Sequence, residues 1–388
     1  MTLPPGLQDA VAARRERFIE DLARLVGIDC GSYTPVGVNR VADAVGEALA
    51  ELGANVERIG HRPTRGERQL GDLVIGRLEG SGPRLLLIGH MDTVFDPGTA
   101  AERPFRIDGG RATGPGVSDM KGGLLAGLHA LAALQAIGVR PSVTFVANPD
   151  EEIGSPFSTP HIRRLSRAHD AALVLECARA NGDIVSARKG IADYEITLTG
   201  RAAHAGVEPE KGRSAIVEAA HQVLALHALN GRWPSVTVNA GVIEGGTRPN
   251  VVAASCRMEL DVRASSSAEF DQAAAEVKAI VTRPTLGGIG AELRQVAFHP
   301  PMERTPANAR LAELAIAIAA ELGFEVRDTL TGGASDANTT SAAGLPSLDG
   351  LGPIGGDDHS ADEWLDLASV APRTTLLAGL IGRIGEAI

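Results

Sequence analysis

Short apolar runs recur through the first part of the chain, and each ends at a polar or glycine-containing turn. The runs RLLLIG, VTFVAN and AALVL have the length and composition of buried strands, whereas KGGLLAGLHALAALQAIG has the apolar spacing of a helix. Strands that alternate with helices predict βαβ units and a mainly parallel sheet. Before them, MTLPPGLQDAVAARRERFIEDLARLVG has the pattern of a charged amphipathic helix.

A different pattern occupies residues 189–300. Its order of strand, helix, strand, strand, helix, strand is that of a ferredoxin-like layer. The segments are DYEITLTG, RSAIVEAAHQVLALHAL, SVTVNAGVI, ASCRMELDVRA, AEFDQAAAEVKAIV and AELRQVAF. Helix ARLAELAIAIAAELG and strand FEVRDTL then return to the first pattern. We therefore predict an α/β fold with a main domain built from residues 1–188 and 301–388 and an inserted α+β domain at residues 189–300.

Side chains that can bind metals follow several of the apolar runs. They are His90 after RLLLIG, Asp119 in GPGVSDMKGG, Glu151 and Glu152 after VTFVANPD, Glu176 after AALVL, and His359 after GLGPIGGDD. The crevice outside the carboxyl ends of parallel strands is where ligands bind in open α/β sheets. We therefore expect these side chains to converge on one edge of the sheet, a pattern typical of a metal-dependent hydrolase.

Two of these positions can also be interpreted without a metal. His90 and Asp92 form an H-x-D pair, so Asp92 can bond the second ring nitrogen of a metal-bound His90. The alternative is a strand end with an incidental histidine. Asp119 precedes a helical segment and could equally be its N-cap.

The remaining carboxylates carry stronger signals. Glu151 and Glu152 are adjacent, and buried adjacent carboxylates need a compensating cation or proton. A solvated acidic turn is the alternative. Glu176 follows five apolar residues, where an unpaired charge is expensive to bury. His359 could simply lie in an acidic surface turn, since its segment reads GGDDHSADEW.

Nitrogen and oxygen donors without a thiolate favour zinc, with cobalt or manganese as possible substitutes. A calcium or magnesium site made only of oxygen ligands would not use two histidines. Rival motifs are weaker. Gly350, Gly352 and Gly355 spell G-x-G-x-x-G, but Pro353 interrupts it and no helix follows to hold a pyrophosphate.

Net charge, cysteine content and apolar run length indicate which binding partners and which cellular compartment to expect. A net charge of -11 argues against nucleic acid, which requires a basic face. The three cysteines are isolated, so they favour a reducing compartment and a cytoplasmic location. No uninterrupted apolar run reaches membrane-spanning length, so no membrane partner is expected.

Seven segments resemble, in order and spacing, the di-zinc aminoacylase and carboxypeptidase family, and most closely its glutamate carboxypeptidase (carboxypeptidase G) branch. They are GHMDTV, GPGVSDMKGG, NPDEEIGS, LECARANGDIVSARKG, TGRAAHAGVEPEKG, GGASDAN and GGDDHS. The resemblance implies that His90, Asp119 and Glu176 hold one Zn2+ and that Asp119, Glu152 and His359 hold the other. Asp119 would bridge the two ions.

The same resemblance implies roles for five further residues. Glu151 would be the general base and Asp92 the carboxylate behind His90. His204, in the inserted domain, would be the lid histidine that reaches the partner subunit's active site in a homodimer. Asn250 and Arg263 would hold the substrate's carboxylate; a solvated sheet face is the alternative for Arg263.

The implied reaction is hydrolysis of an amide bond that releases a C-terminal amino acid, glutamate in the carboxypeptidase G branch, from a small peptide. Removal of an N-acyl group, as by acetylornithine deacetylase or succinyl-diaminopimelate desuccinylase, is the main alternative. A metal-bound protein without catalytic activity and an NAD-dependent oxidoreductase are the other hypotheses. The first conflicts with the intact Glu151, and the second rests on the interrupted glycine motif.

Overall fold

The computed structural model describes residues 3–388, which divide into two compact units. The first unit contains the chain up to Ser186 together with Arg304–Leu330 and Ser335–Ile388. The second unit contains Ala187–Glu303 and Thr331–Ala334. The short segment Thr331–Ala334 belongs to the second unit because its carbonyl oxygens accept hydrogen bonds from residues of that unit. Lys189 N lies 3.0 Å from Thr331 O, and Arg188 Nη1 lies 3.1 Å from Gly333 O.

Helices and strands alternate through the part of the chain that precedes residue 189. In order they are α1 (Leu7–Ala12), α2 (Arg15–Val26), α3 (Pro35–Glu51), β1 (Asn55–Ile59), β2 (Leu73–Leu78), β3 (Ser81–His90), α4 (Thr99–Glu102), β4 (Arg106–Asp108), β5 (Arg111–Thr113), α5 (Gly123–Ala136), β6 (Pro141–Asn148), α6 (Thr159–Ser166), β7 (Ala171–Val174) and β8 (Ile184–Arg188). The single N-terminal helix expected from the sequence is divided into α1 and α2, and its residues Met1 and Thr2 lie outside the described residues.

The rest of the chain contains six elements of the second unit and then the C-terminal elements. They are β9 (Gly190–Thr199), α7 (Ala215–His227), β10 (Thr237–Gly245), β11 (Ser255–Ala264), α8 (Ser267–Val281), β12 (Gly290–His299), α9 (Pro306–Glu321), β13 (Asp328–Thr331), α10 (Asp336–Ala342), β14 (Ser347–Leu348), β15 (Gly355–Gly356), β16 (Trp364–Asp366) and α11 (Val370–Arg383). Strands β8 and β13 form a two-stranded sheet.

A six-stranded sheet in the order β1-β2-β6-β3-β7-β14 is the centre of the first unit. Strands β6, β3, β7 and β14 are parallel, and β2 is antiparallel to both of its neighbours, β1 and β6. Helix α5 is buried from Gly123 to Leu134 and packs against α1 and α11, as expected of a helix that is apolar on all sides. The predicted α/β fold with a mainly parallel sheet is confirmed.

The second unit is a separate antiparallel sheet in the order β10-β11-β9-β12, with α7 and α8 packed on it. Its strand and helix order is the one predicted from the sequence. In β11, Cys256, Met258, Leu260 and Val262 are buried, and the residues between them are partly exposed, because alternate side chains of a strand face opposite sides.

A small sheet in the order β15-β16-β5-β4 completes the first unit. Its pairing joins distant parts of the chain, since Thr113 in β5 is opposite Trp364 in β16. Among the described helices, none combines the length and the apolar character needed to cross a membrane.

Close packing at the start of α5 gives a testable consequence. A Cβ on Gly123 would lie 1.8 Å from the carbonyl oxygen of Leu175, so Gly123→Ala must displace backbone next to Glu176. We expect a loss of about 1–3 kcal/mol of stability, measured by urea denaturation. Gly46→Ala in α3 is the matched control, because the nearest atom to its Cβ would lie 3.8 Å away. This control should gain about 0.5–1 kcal/mol, and equal stability of both variants would contradict the packing argument.

Candidate metal centre

Three neighbouring parallel strands deliver four of the candidate residues to one edge of the six-stranded sheet. Strand β3 ends at His90, and β7 is followed two residues later by Glu176. After β6 the chain makes a short helical turn, Glu151–Ile153, that contains both glutamates. These residues therefore meet at the carboxyl ends of β6, β3 and β7, as the sequence led us to expect.

Asp119 and His359 reach the same place by another route. Asp119 lies in an irregular turn, Val117–Gly122, between β5 and α5, and its backbone is not helical (φ -109°, ψ 95°). It is therefore not an N-cap of α5, which begins at Gly123. His359 follows β15 and has left-handed backbone (φ 63°). The small sheet, and not the parallel sheet, brings these two residues in.

The carboxylate of Asp119 lies between the two histidines. Its Oδ1 is 2.9 Å from His90 Nε2, and its Oδ2 is 3.1 Å from His359 Nε2. The same His359 nitrogen is 3.1 Å from Glu152 Oε2. On the other side, His90 Nε2 is 3.8 Å from Glu176 Oε1. One oxygen of Asp119 thus faces each histidine, and each histidine has a second carboxylate beside it.

Two overlapping groups of donor atoms are compact enough to hold a cation. His90, Glu151 and Glu176 form one group, and His90, Asp119 and Glu152 form the other; within each group the donor atoms lie within 4.8 Å of one another. Imidazole nitrogens and carboxylate oxygens are donors that suit zinc and its first-row neighbours. The thiol of Cys177, the residue after Glu176, points elsewhere, since its Sγ contacts Asp358 Oδ2 at 3.4 Å.

Asp92 organises both His90 and the glutamate turn. Its Oδ1 and Oδ2 accept hydrogen bonds from the backbone N–H groups of Glu151 (3.1 Å) and Glu152 (3.2 Å). Ser32 Oγ donates to Oδ2 at 2.6 Å. His90 Nδ1 lies 3.0 Å from the Asp92 carbonyl oxygen and 3.4 Å from Oδ1. This arrangement leaves Nε2 of His90 directed at Asp119 and available to a metal.

The concentration of carboxylates shifts several pKa values. Burial alone would lower the pKa of His90, but hydrogen bonds to Asp119 and Asp92 outweigh it and raise that pKa well above its usual value. Hydrogen bonds to Asp119 and Glu152 raise the pKa of His359 to about 11. Burial raises the pKa of Asp119, but the two histidines reverse this effect and lower it. The same negative potential favours a divalent cation in place of those protons.

Burial also raises the pKa of both glutamates in the turn. For Glu151 the neighbouring Glu176 carboxylate acts in the same direction, while His90 opposes it. A carboxyl group whose proton affinity is increased in this way is suited to accept and return a proton.

The interrupted glycine motif has a packing role. Gly352 N donates to the carbonyl oxygen of Glu176 at 2.8 Å, and a Cβ on Gly352 would lie 2.9 Å from that same oxygen. The buried Arg373 donates to the carbonyl oxygens of Gly350 and Gly352. These glycines therefore hold the segment that carries Glu176, which explains them without a dinucleotide.

Two buried carboxylates support the centre and were not singled out from the sequence. Glu363, for whose segment an acidic surface turn was the alternative interpretation, is 1% exposed and accepts hydrogen bonds from the turn that contains Asp119. Asp336 accepts hydrogen bonds from Asn148 Nδ2 (2.6 Å) and Ser155 Oγ (2.8 Å), on either side of the glutamate turn. A signal for Glu363 was its position directly before the strand-like WLDL.

The remaining candidates belong to the second unit. His204 is exposed and its backbone pairs with Val251, and Ala205 N donates to Asn250 O at 3.0 Å, so the His204 and Asn250 segments are adjacent. Arg263 lies on β11, and its guanidinium group is hydrogen-bonded to other residues of the second unit. Its Nε and Nη2 each lie 3.0 Å from an oxygen of Asp261, and Nη1 donates to Gly332 O at 2.9 Å.

Several known proteins are similar to this chain over nearly its whole length. Carboxypeptidase G2 from Pseudomonas sp. (strain RS-16) is 32% identical over 388 residues, which cover 98% of the chain and 92% of that protein. Acetylornithine deacetylase from Proteus mirabilis (strain HI4320) is 27% identical and covers 94% of the chain and 96% of that protein.

Solved structures share the fold. Aminopeptidase PepT from Bacillus cereus ATCC 10987 has a TM-score of 0.79 at 23% identity and covers 95% of the chain and 98% of its own. The M20 family metallo-carboxypeptidase Sso-CP2 from Sulfolobus solfataricus has a TM-score of 0.74 at 16% identity, and the match covers 95% of this chain and 99% of that structure's chain. The sequence model of peptidase family M20/M25/M40 matches residues 86–383. The chain therefore belongs to peptidase family M20/M25/M40 and is a metallopeptidase of that family, which confirms the family and the enzyme class that the sequence motifs implied.

Proposed function

We propose that this chain is a carboxypeptidase that uses two zinc ions to hydrolyse the amide bond preceding a C-terminal glutamate. The observation that carries the proposal is the position of Asp119, with one carboxylate oxygen toward each of two histidines. The similarity to carboxypeptidase G2 along 98% of the chain supports the choice of reaction.

The donor set fits two divalent ions. His90, Asp119 and Glu176 would hold one, and Asp119, Glu152 and His359 would hold the other, with cobalt or manganese as possible substitutes for zinc. Four pairs of these ligands lie within 3.8 Å of each other. They are His90 with Asp119, His90 with Glu176, His359 with Asp119, and His359 with Glu152. When bound, such ions polarise the scissile carbonyl and make water a stronger acid.

Glu151 is the residue we assign to proton transfer. Its donor atom lies within 4.8 Å of those of His90 and Glu176, yet the two-ion assignment does not use it as a ligand. Its backbone N–H is held by Asp92, so the side chain has a fixed origin. Glu151 would remove a proton from the attacking water and then deliver it to the leaving nitrogen, which must be protonated to depart.

A single-atom change at Glu151 tests this role. Glu151→Gln should reduce kcat by at least about 100-fold, the usual contribution of a general acid or base, while both metal ions stay bound. The neighbouring Glu152→Gln is the matched variant and should instead lose metal, measured by plasma mass spectrometry of the purified protein. Full activity of Glu151→Gln, or loss of its metal, would refute the assignment.

Two findings bear on the substrate. The similarity to acetylornithine deacetylase along 94% of the chain keeps removal of an N-acyl group as the second candidate function. In both reactions an amino acid carboxylate has to be recognised, and we assign this to Asn250 and Arg263. Arg263 pairs with the Asp261 carboxylate through two nitrogens, so in this assignment the substrate carboxylate would share or replace that partner.

A substrate panel separates the two candidates. We expect kcat/KM to be highest for acyl-glutamates and dipeptides that end in glutamate, and lower for acetylornithine. Arg263→Lys should raise KM about tenfold, because a point charge cannot reproduce two parallel hydrogen bonds. Arg257→Lys, on the same face of β11 and paired with Glu195 and Glu259, is the control and should leave KM unchanged. A higher kcat/KM for acetylornithine would favour the deacetylase, and an unchanged KM in Arg263→Lys would leave Arg263 a structural role.

We further propose that the protein is a cytoplasmic homodimer that associates through the second unit. Helix α7 exposes an apolar stripe of Ile216 (42% exposed), Val217 (46%) and Leu224 (70%), in which Leu224 lies two turns after the first two residues. Strand β10 is an edge of its sheet and exposes Ile243. Exposed apolar stripes and open strand edges are typical of protein interfaces. The three buried, unpaired cysteines suit a reducing compartment.

A charge placed on this stripe should separate the subunits. Leu224→Asp should convert the dimer into monomers in light scattering after gel filtration, because an unpaired charge would be buried at the interface. Val296→Asp, on the strand at the opposite sheet edge, is the control and should remain dimeric. If His204 acts in the partner's active site, the Leu224→Asp monomer also loses turnover. A dimeric Leu224→Asp would contradict the assigned interface.

A further inference from the structure

Glu363 makes an unusual set of contacts for an acidic residue. It lies four residues after His359, is 1% exposed, and accepts three backbone hydrogen bonds. Oε2 accepts from Gly116 N at 2.9 Å, and Oε1 accepts from Ser118 N at 2.8 Å and Asp119 N at 3.0 Å. Glutamate is rarely buried unless its charge is matched, so these N–H groups are the partners that keep it inside.

The turn that receives these bonds lacks regular structure of its own. Gly116 has left-handed backbone (φ 72°), and Asp119 interrupts the helical conformation. On the other side, Lys121 Nζ donates to the carbonyl oxygens of Pro115 (2.9 Å) and Ile28 (3.2 Å). The turn is therefore held between the buried carboxyl group of Glu363 and the buried side chain of Lys121, and the carboxyl group contacts the peptide group that begins Asp119.

The pairing of β16 with β5 already brings the two chain segments together, since it ends at the pair Trp364 and Thr113. Glu363 is not needed to attach the segments. Its hydrogen bonds begin where the pairing ends, at Gly116, Ser118 and Asp119. A small rotation of this backbone would move the Asp119 oxygens away from one or both histidines.

We propose that Glu363 is a positioning residue for the Asp119 carboxylate: by holding the amide groups of the Asp119 turn, it fixes the orientation in which Asp119 presents one oxygen to each of the two histidines that would hold the metal ions. Because Glu363 follows His359 in the same segment, it also couples the positions of two metal ligands that are 240 positions apart in the sequence. This inference rests on the metal ligands of the proposed function and adds a residue that touches neither metal nor substrate.

A purely structural role makes a different prediction. If Glu363 only stabilises the fold, its replacement lowers the unfolding temperature of the metal-free protein but leaves metal affinity unchanged at temperatures where the protein is folded. If Glu363 orients Asp119, the folded variant binds metal more weakly. Changes in groups that orient metal ligands typically cost about 10–100-fold in metal affinity.

The test is titration of the metal-free protein with Co2+ alone, with affinity obtained by competition against a chelator and geometry from the visible absorption bands. In Glu363→Gln the amide nitrogen cannot accept a hydrogen bond, so at least one backbone N–H faces another donor. We expect Co2+ affinity to fall about 10–100-fold, with altered bands. Asp362→Asn removes the same charge from the adjacent exposed residue and should match the wild type.

Two further variants make each outcome decisive. Glu363→Asp keeps the charge but is one methylene too short to reach all three amides, so it should also bind Co2+ more weakly; it replaces Glu363→Gln if that variant does not fold. Wild-type affinity and bands in a folded Glu363 variant would overturn the inference. Asp119→Asn is the reference. If Asp119→Asn binds Co2+ like the wild type, the ligand assignment of the proposed function fails, and this inference fails with it. If Asp119→Asn loses Co2+ affinity and the Glu363 variants do not, only the role of Glu363 is overturned.

Discussion

The placement of one carboxylate, Asp119, between two imidazoles is the interaction on which the rest of the centre depends. Its two oxygens lie 2.9 and 3.1 Å from His90 and His359. Four carboxylates crowd this region, and their mutual repulsion is unfavourable in a buried site unless positive charge is supplied. Two sources can supply that charge. The histidines face the carboxylates at hydrogen-bond distance, and their nitrogens can also bind cations.

The candidate metal ligands are held in place by two different parts of the fold. His90, the two glutamates and Glu176 follow adjacent parallel strands, so the sheet sets their spacing and Asp92 holds the turn of the two glutamates. Asp119 and His359 come from turns that no regular element fixes, and buried polar contacts hold them instead. Glu363 and Lys121 hold the first turn, and the small sheet ties it to the second. Each such contact is buried, where loss of one partner is costly.

The sequence predicted what depends on periodicity and missed what depends on long-range contacts. Runs such as RLLLIG and AALVL identify strands β3 and β7, and the segment from β9 to β12 follows its predicted order. Strands β15 and β16 have two and three residues, too few for a period to be visible. The route of His359 to the centre was therefore not predictable. Glu363 resembled a surface residue because its neighbours in sequence are acidic, while its three partners lie more than 240 positions away.

Anomalous X-ray scattering at the zinc absorption edge, from crystals of the protein grown with zinc, would locate the metal ions themselves. We expect two peaks, both next to Asp119, one also next to His90 and Glu176 and the other next to His359 and Glu152. A single peak, or peaks that do not share Asp119, would contradict this assignment.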